Sequence, residues 1–189
     1  NVQNTAVGYD AGQAITSGVN NTIVGAYAGD ALTDADFNVA VGDGALGADT
    51  LGNRSTAVGH NALAAQNFTG ATSVHNCAFG FATGQSVTTG TNNSFFGAQA
   101  GLSVTTGIKN TLVGSLAGDA LTDADFNTVV GMDALTSDTL GSRSTAIGVG
   151  ALNAQNFTTA ENVENVAVGM NAGNVITTGF KNTIVGALG

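Results

Sequence analysis

The chain has 189 residues, a length that suits one domain or two, with 28 Gly, no Pro, no Trp and only 9% charged residues. An ordinary helical domain is richer in Lys, Glu and Leu, and a disordered chain carries more charge and less than the 43% apolar content found here, so both are excluded. Thirteen acidic residues against four basic ones give a net charge of −9, which repels phosphate and argues against nucleic acid and anionic membranes as partners.

No run of about 18 apolar residues offers a membrane span. The sequence opens on Asn1-Val2-Gln3 without a start Met or signal peptide, as a mature product or an excerpt would. A single cysteine, Cys77, excludes an internal disulfide framework.

In chain order, the phrase Asn-Thr-x-Val-Gly and its variants recur, beginning at Asn4, Asn21, Asn38, Ser55, Asn76, Asn93, Asn110, Asn127, Ser144, Asn165 and Asn182. Successive spacings are 17 residues except for two of 21, one after Ser55 and one after Ser144. A longer period lies above the short one. Residues 4–92 align without gaps on 93–181 with 50 identities in 89 positions, so five coils form one superunit and a third begins at Asn182. A 17-residue period is too short for two-helix repeats, and Gly at this density opposes helix. The expected fold is all-β: a parallel β-solenoid of about eleven coils, one rod over residues 1–189. With coils stacked about 4.8 Å apart, the rod is roughly 50 Å long.

With Asn4 as position 1, positions 2 to 4 form a short strand in every coil. Positions 2 and 4 share one face and position 3 points to the other. Position 4 is Val, Ile or Phe in all eleven coils, and this uniform bulk assigns it to the interior. Position 3 is also apolar throughout. A strand apolar on both faces is covered on both, and one coil cannot supply both covers. Position 3 is therefore expected at an interface between copies of the chain, led by Ile23, Phe95, Leu112, Val129 and Ile184. The invariant Gly at position 5 predicts a corner with positive φ or close backbone approach. Asn at position 1 predicts a stacked amide ladder, as Thr or Asn does at position 13. On the far side of the coil, Gly at position 9 accompanies an aliphatic position 12, as in Gly29 with Leu32. Leu at position 9 accompanies a polar position 12 and a large position 14, as in Leu63 with Gln66 and Phe68. Both read as ways of filling one small cross-section.

The phrase Asn4-Thr5-Ala6-Val7-Gly8-Tyr9-Asp10-Ala11-Gly12, echoed in every coil, resembles the head repeats of trimeric autotransporter adhesins. It is also similar to the 17-residue repeats of phage tail fibres and of surface proteins that end in an intramolecular chaperone domain. The resemblance covers the whole chain and implies a homotrimer of parallel β-rolls, with an apolar face of each coil packed on the three-fold axis. Adhesin head repeats tend to be shorter, and neither a membrane anchor nor a chaperone domain accompanies the repeats here.

No nucleophile motif surrounds His60 or His75, and the glycines lack any phosphate-loop context, so no enzyme is expected. Cys77, at position 2, is expected as a small inward side chain. The acidic cluster Asp30, Asp34, Asp36, Asn38 returns as Asp119, Asp123, Asp125, Asn127. Asp-x-Asp-x-Asn offers oxygen ligands at alternate positions, which suits calcium at Asp34, Asp36, Asn38 and at Asp123, Asp125, Asn127. The competing reading is a solvated acidic corner, with no cofactor. Four-residue insertions close the fourth coil of each superunit, at Gly70–His75 and Thr159–Glu164, and read as surface or recognition loops.

The leading functional expectation is a structural fibre module of a phage tail fibre or bacterial surface adhesin, extracellular, spacing or presenting a tip that meets a cell-surface receptor or glycan. A self-assembling extracellular filament is the alternative. An ice-binding solenoid, suggested by Thr88-Thr89, Thr105-Thr106 and Thr177-Thr178, is weaker because Asp34 and Leu51 interrupt the array.

Overall fold

The computed structural model describes residues 3–187; the outermost residues of the 1–189 span lie outside it. Among the described residues there is no helix, and every regular element is a short strand. Eleven three-residue strands, from Thr5–Val7 to Thr183–Val185, form one parallel sheet in strict chain order. Their register matches the repeat: Thr22 lies beside Thr5, Ile23 beside Ala6 and Val24 beside Val7. The fold is a parallel β-solenoid of about eleven coils.

Three left-handed bends close each coil. In the coil that opens at Asn21 they fall at Gly25 (φ 138°), at Tyr27 and Gly29 (φ 53° and 50°), and at Phe37 (φ 60°) just before the next Asn. Glycine at position 5 is required twice over. A Cβ on Gly97 would lie 2.5 Å from the carbonyl oxygen of Gly114 in the next coil, in addition to the strain of its φ of 134°.

The predicted amide ladder is present and buried. The side-chain NH₂ of Asn110 donates to the carbonyl of Ala124 at 2.7 Å, and its Oδ1 accepts the backbone N–H of Asn127 at 3.0 Å. The same pair of bonds repeats at Asn21, Asn38 and Asn93. At position 13, the hydroxyls of Thr33, Thr88 and Thr105 each donate to a carbonyl one coil on. The threonines that suggested an ice face at positions 88 and 105 thus spend their hydroxyls on the rod itself.

The inside and outside of the main strand are the reverse of the expectation. Ile23, Phe95, Leu112 and Val129, expected at a chain–chain interface, are fully buried within this chain, and Ile184 packs on the same core. The physical reason lies in volume compensation across a narrow interior. Large position-3 side chains sit over position-9 glycines: a Cβ on Gly101 would meet Phe95 and Leu112, and one on Gly29 would meet Ile23. Where position 9 is a buried leucine, position 3 of the same coil is smaller: Ala40 with Leu46, Ala57 with Leu63, Ala146 with Leu152 and Val129 with Leu135. Position 4 shows no such exchange, because it faces outward.

Two predictions follow from these corners. Gly97→Ala is expected to cost about 3 kcal/mol or more, whereas Gly70→Ala, where a Cβ meets nothing within 4 Å, should stay within about 0.5 kcal/mol of wild type; thermal melts read both. Asn110→Ala leaves the Ala124 carbonyl and the Asn127 N–H without their side-chain partner, and should lower unfolding free energy in urea by roughly 2–4 kcal/mol.

Candidate assembly face

Alternation along the strand turns positions 2 and 4 outward together. Position 2 is mostly Thr, with Cys77 half-buried among these outward residues and not inward as expected. Position 4 lays an unbroken apolar column along the outside of the rod, from Val7 through Val24, Phe79, Phe96, Val130 and Ile147 to Val185. Within the column Phe79 and Phe96 stack in parallel with ring centroids 5.2 Å apart. Beside them, past the glycine corner, His60 stacks on Phe81 at 5.5 Å. Together these four rings form an aromatic node near the middle of the rod.

Two corners flank the outward strand. The corner that opens it, position 17, carries Arg54, Lys109, Arg143 and Lys181, which are all four of the chain's lysines and arginines. Aromatic rings in the same column hold three of these cations. Arg54 lies over Phe37 at 5.5 Å, and Lys109 and Arg143 lie over Phe126 at 5.0 and 5.8 Å. Glu164 interrupts the column and sits 3.9 Å from both Arg143 and Lys181. The corner that closes the strand, positions 6 and 7, carries Asp10, Asp43 and Asp133 and no Lys or Arg. His60 is 3.7 Å from Asp43 there, and His75 is exposed at the corner opening the fifth coil.

The calcium reading loses part of its ligand set. Asn38 and Asn127 are buried rungs of the amide ladder, with the oxygen of each accepting a backbone N–H and the nitrogen donating to a carbonyl. They cannot turn out to join the aspartates. Asp34 accepts from Ser17 and Asp123 from Thr106, while Asp36 and Asp125 each accept a backbone N–H one coil back. Among the described residues, no group of three His, Cys, Asp or Glu side chains is placed to hold a metal. Asp123, Asp125, Ser142 and the insertion residues Ala160, Glu161 and Asn162 do line an open recess of about 330 Å³.

The insertions are more than surface loops. Thr72–Ser73 pairs in parallel with Gly52–Asn53, and Glu161–Asn162 pairs with Gly141–Ser142. Each insertion also sends one valine, Val74 or Val163, fully into the interior.

Sequence reasoning missed a buried polar network beside them. In the fourth coil Ser replaces the ladder Asn, and Gln66 supplies the missing amide. It donates to Asp49 at 2.5 Å and to the Ser55 hydroxyl at 3.0 Å, and accepts from Asn76 at 2.9 Å. Asp49 also accepts the backbone N–H groups of Gly52 and Phe68. Burial nonetheless pushes the Asp49 carboxyl above its ordinary range, against the pull of these donors. Asp138, Gln155, Ser144 and Asn165 repeat the bonds in the second superunit. The readable signal was the pairing of Ser at position 1 with Gln at position 12 in the same coil, in both superunits.

No family model, no curated protein and no solved structure matches this chain.

Asp119 is a second carboxylate raised by burial. One of its carboxylate oxygens is buried without a hydrogen-bond partner. Desolvation, with a smaller contribution from the charge of Asp133, raises its pKa above the ordinary 3.8. An acid with a raised folded-state pKa binds its proton more tightly when folded. Its penalty is therefore absent below pH 3.8, grows as pH rises through the window between the unfolded and folded values, and is full above it. Asp119→Asn should raise the melting temperature at pH 7, and its advantage over wild type should shrink as the pH approaches 3.8; melts across pH 3.5–7.5 check both.

Proposed function

We infer that the chain is the repeating shaft of a homotrimeric extracellular fibre, of the kind borne by phage tails or bacterial surfaces, whose role is to space or present a receptor-binding tip. The observation that carries this reading is the position-4 column. Seven of its members, Val7, Val24, Phe79, Phe96, Val130, Ile147 and Val185, are exposed in a single chain, and they lie in one line. Soluble monomers rarely carry an apolar strip of this extent. Covering each large side chain contributes roughly 1.5–3 kcal/mol, a large sum against the marginal stability of a thin rod.

Parallel coils with the same residue type on every rung favour a symmetric assembly of identical rods. The resemblance to trimeric autotransporter heads supplies the number three. The rigid, rung-by-rung stacking suits a spacer, since each coil contacts only its neighbours and length is set by repeat number.

Light scattering should give the wild-type chain three times its monomer mass at micromolar concentration. Phe96→Asp with Val113→Asp, both outward, should release monomers while the buried Phe95 and Leu112 keep the coil's interior intact. A wild-type chain that stays monomeric at all concentrations would refute the reading.

A further inference from the structure

Most rungs of this rod offer the next one the same contacts. The asparagine ladder repeats a single bond from coil to coil: Asn38 accepts the backbone N–H of Ser55 just as Asn21 accepts that of Asn38. Such a bond does not distinguish the correct next coil from the one after it. Stacking with one coil looped out is therefore the natural error of a chain built this way.

Position 12 breaks the uniformity. It is Asp49 in the third coil and Gln66 in the fourth, Asp138 in the eighth and Gln155 in the ninth, and aliphatic in the other complete coils. All four polar side chains are fully buried. The Asp49 carboxylate accepts from Gln66 Nε2 at 2.5 Å, from the backbone N–H of Phe68 at 2.9 Å and from that of Gly52 at 3.1 Å. Gln66 in turn donates to Ser55 of its own coil and accepts from Asn76 of the fifth. The backbone is cut to fit the acid, since a Cβ on Gly52 or Gly141 would collide with the carboxylate of Asp49 or Asp138. The insertions pair at these same junctions, Thr72–Ser73 on Gly52–Asn53 and Glu161–Asn162 on Gly141–Ser142.

We propose that the Asp49–Gln66 and Asp138–Gln155 pairs are registration keys, which admit only the insertion-bearing coil directly above the aspartate coil. With the fourth coil skipped, Val87 of the fifth lies over Asp49, and the buried carboxylate loses its amide donor. With the third skipped, Leu32 lies under Gln66, and the amide loses its acceptor. Either error leaves a buried polar group unsatisfied, whereas correct stacking satisfies every member of the network. Setting register is the best-attested use of buried polar groups that add little net stability. A slip by a whole superunit satisfies the key again, but it loops out 89 residues together with their core. The keys act within one chain, so they hold whether or not copies assemble.

The outward position-2 column supplies the test, because it runs in the order Thr22, Val39, Thr56, Cys77. Val39 and Cys77 are two rungs apart, about 9.6 Å, beyond the roughly 7 Å that a disulfide spans. Skipping the fourth coil makes them neighbours. The full chain carrying Val39→Cys is refolded under mild oxidation, and the intrachain disulfide is scored at monomer mass on denaturing gels. With the key intact this skipped-coil bond should stay at background. Thr56→Cys, a native neighbour of Cys77, should cross-link readily and mark correct stacking. Adding Asp49→Asn to Val39→Cys keeps the shape but turns a donor toward Gln66, and should raise the skipped-coil bond by roughly tenfold. Adding Asp49→Val with Gln66→Leu instead removes the key without stranding a polar group, and should raise the same bond. Leu63→Ala, in the same coil but outside the network, opens a cavity and should lower the melting temperature while leaving the bond at background. A skipped-coil bond already abundant with the key intact, unchanged by both key variants, or raised equally by Leu63→Ala overturns the proposal.

Discussion

A coil of 17 residues encloses little more than one layer of side chains, and this shortage of interior volume governs the molecule. A large residue on the main strand requires glycine opposite, as Phe95 does with Gly84 and Gly101. A leucine opposite goes with a smaller strand residue, alanine at Ala40, Ala57 and Ala146 and valine at Val129. Backbone corners crowd the same space, so their N–H and C=O groups must be satisfied inside by compact amides. The asparagine ladder does this, and where serine breaks it a glutamine from the far side of the coil completes it. Volume and polarity are thereby settled together, coil by coil.

That economy has a consequence for the outer surface. A rod one side chain thick has too little interior to absorb its apolar content, so a full apolar column remains on the outside. In a globular domain such a column would be folded under another layer. Here the next coil stacks along the axis and cannot cover it, so the column stays on the outside of a single chain.

The insertions show how the repeat tolerates change. Four extra residues leave the following strand in register, because they add a two-residue parallel pair and one buried valine. The perturbation stays within neighbouring coils, as expected where each repeat contacts only adjacent ones. Conversely, a conflict within a coil has nowhere to spread, which is why the Asp49 carboxyl is held in place by several donors despite its burial.

The sequence by itself determined the period, the parallel stacking, the glycine corners and the asparagine ladder. Each depends on local chemistry repeated at fixed spacing: only Gly accepts the φ and the carbonyl contact at position 5, and only a short amide spans the corner. It also showed that the main strand is apolar on both faces. Which face turns inward was decided by the tertiary structure, because alternation fixes the relation between positions 3 and 4 without naming the inside. The reciprocal sizes of positions 3 and 9, as in Leu112 with Gly118 and Ala57 with Leu63, become meaningful once the coil closes and brings them together. The removal of Asn38 and Asn127 from the acidic corners has the same origin. Sequence spacing places them beside the aspartates, but the turn into the next coil swings their amides into the ladder, where buried backbone groups need them more than a cation would.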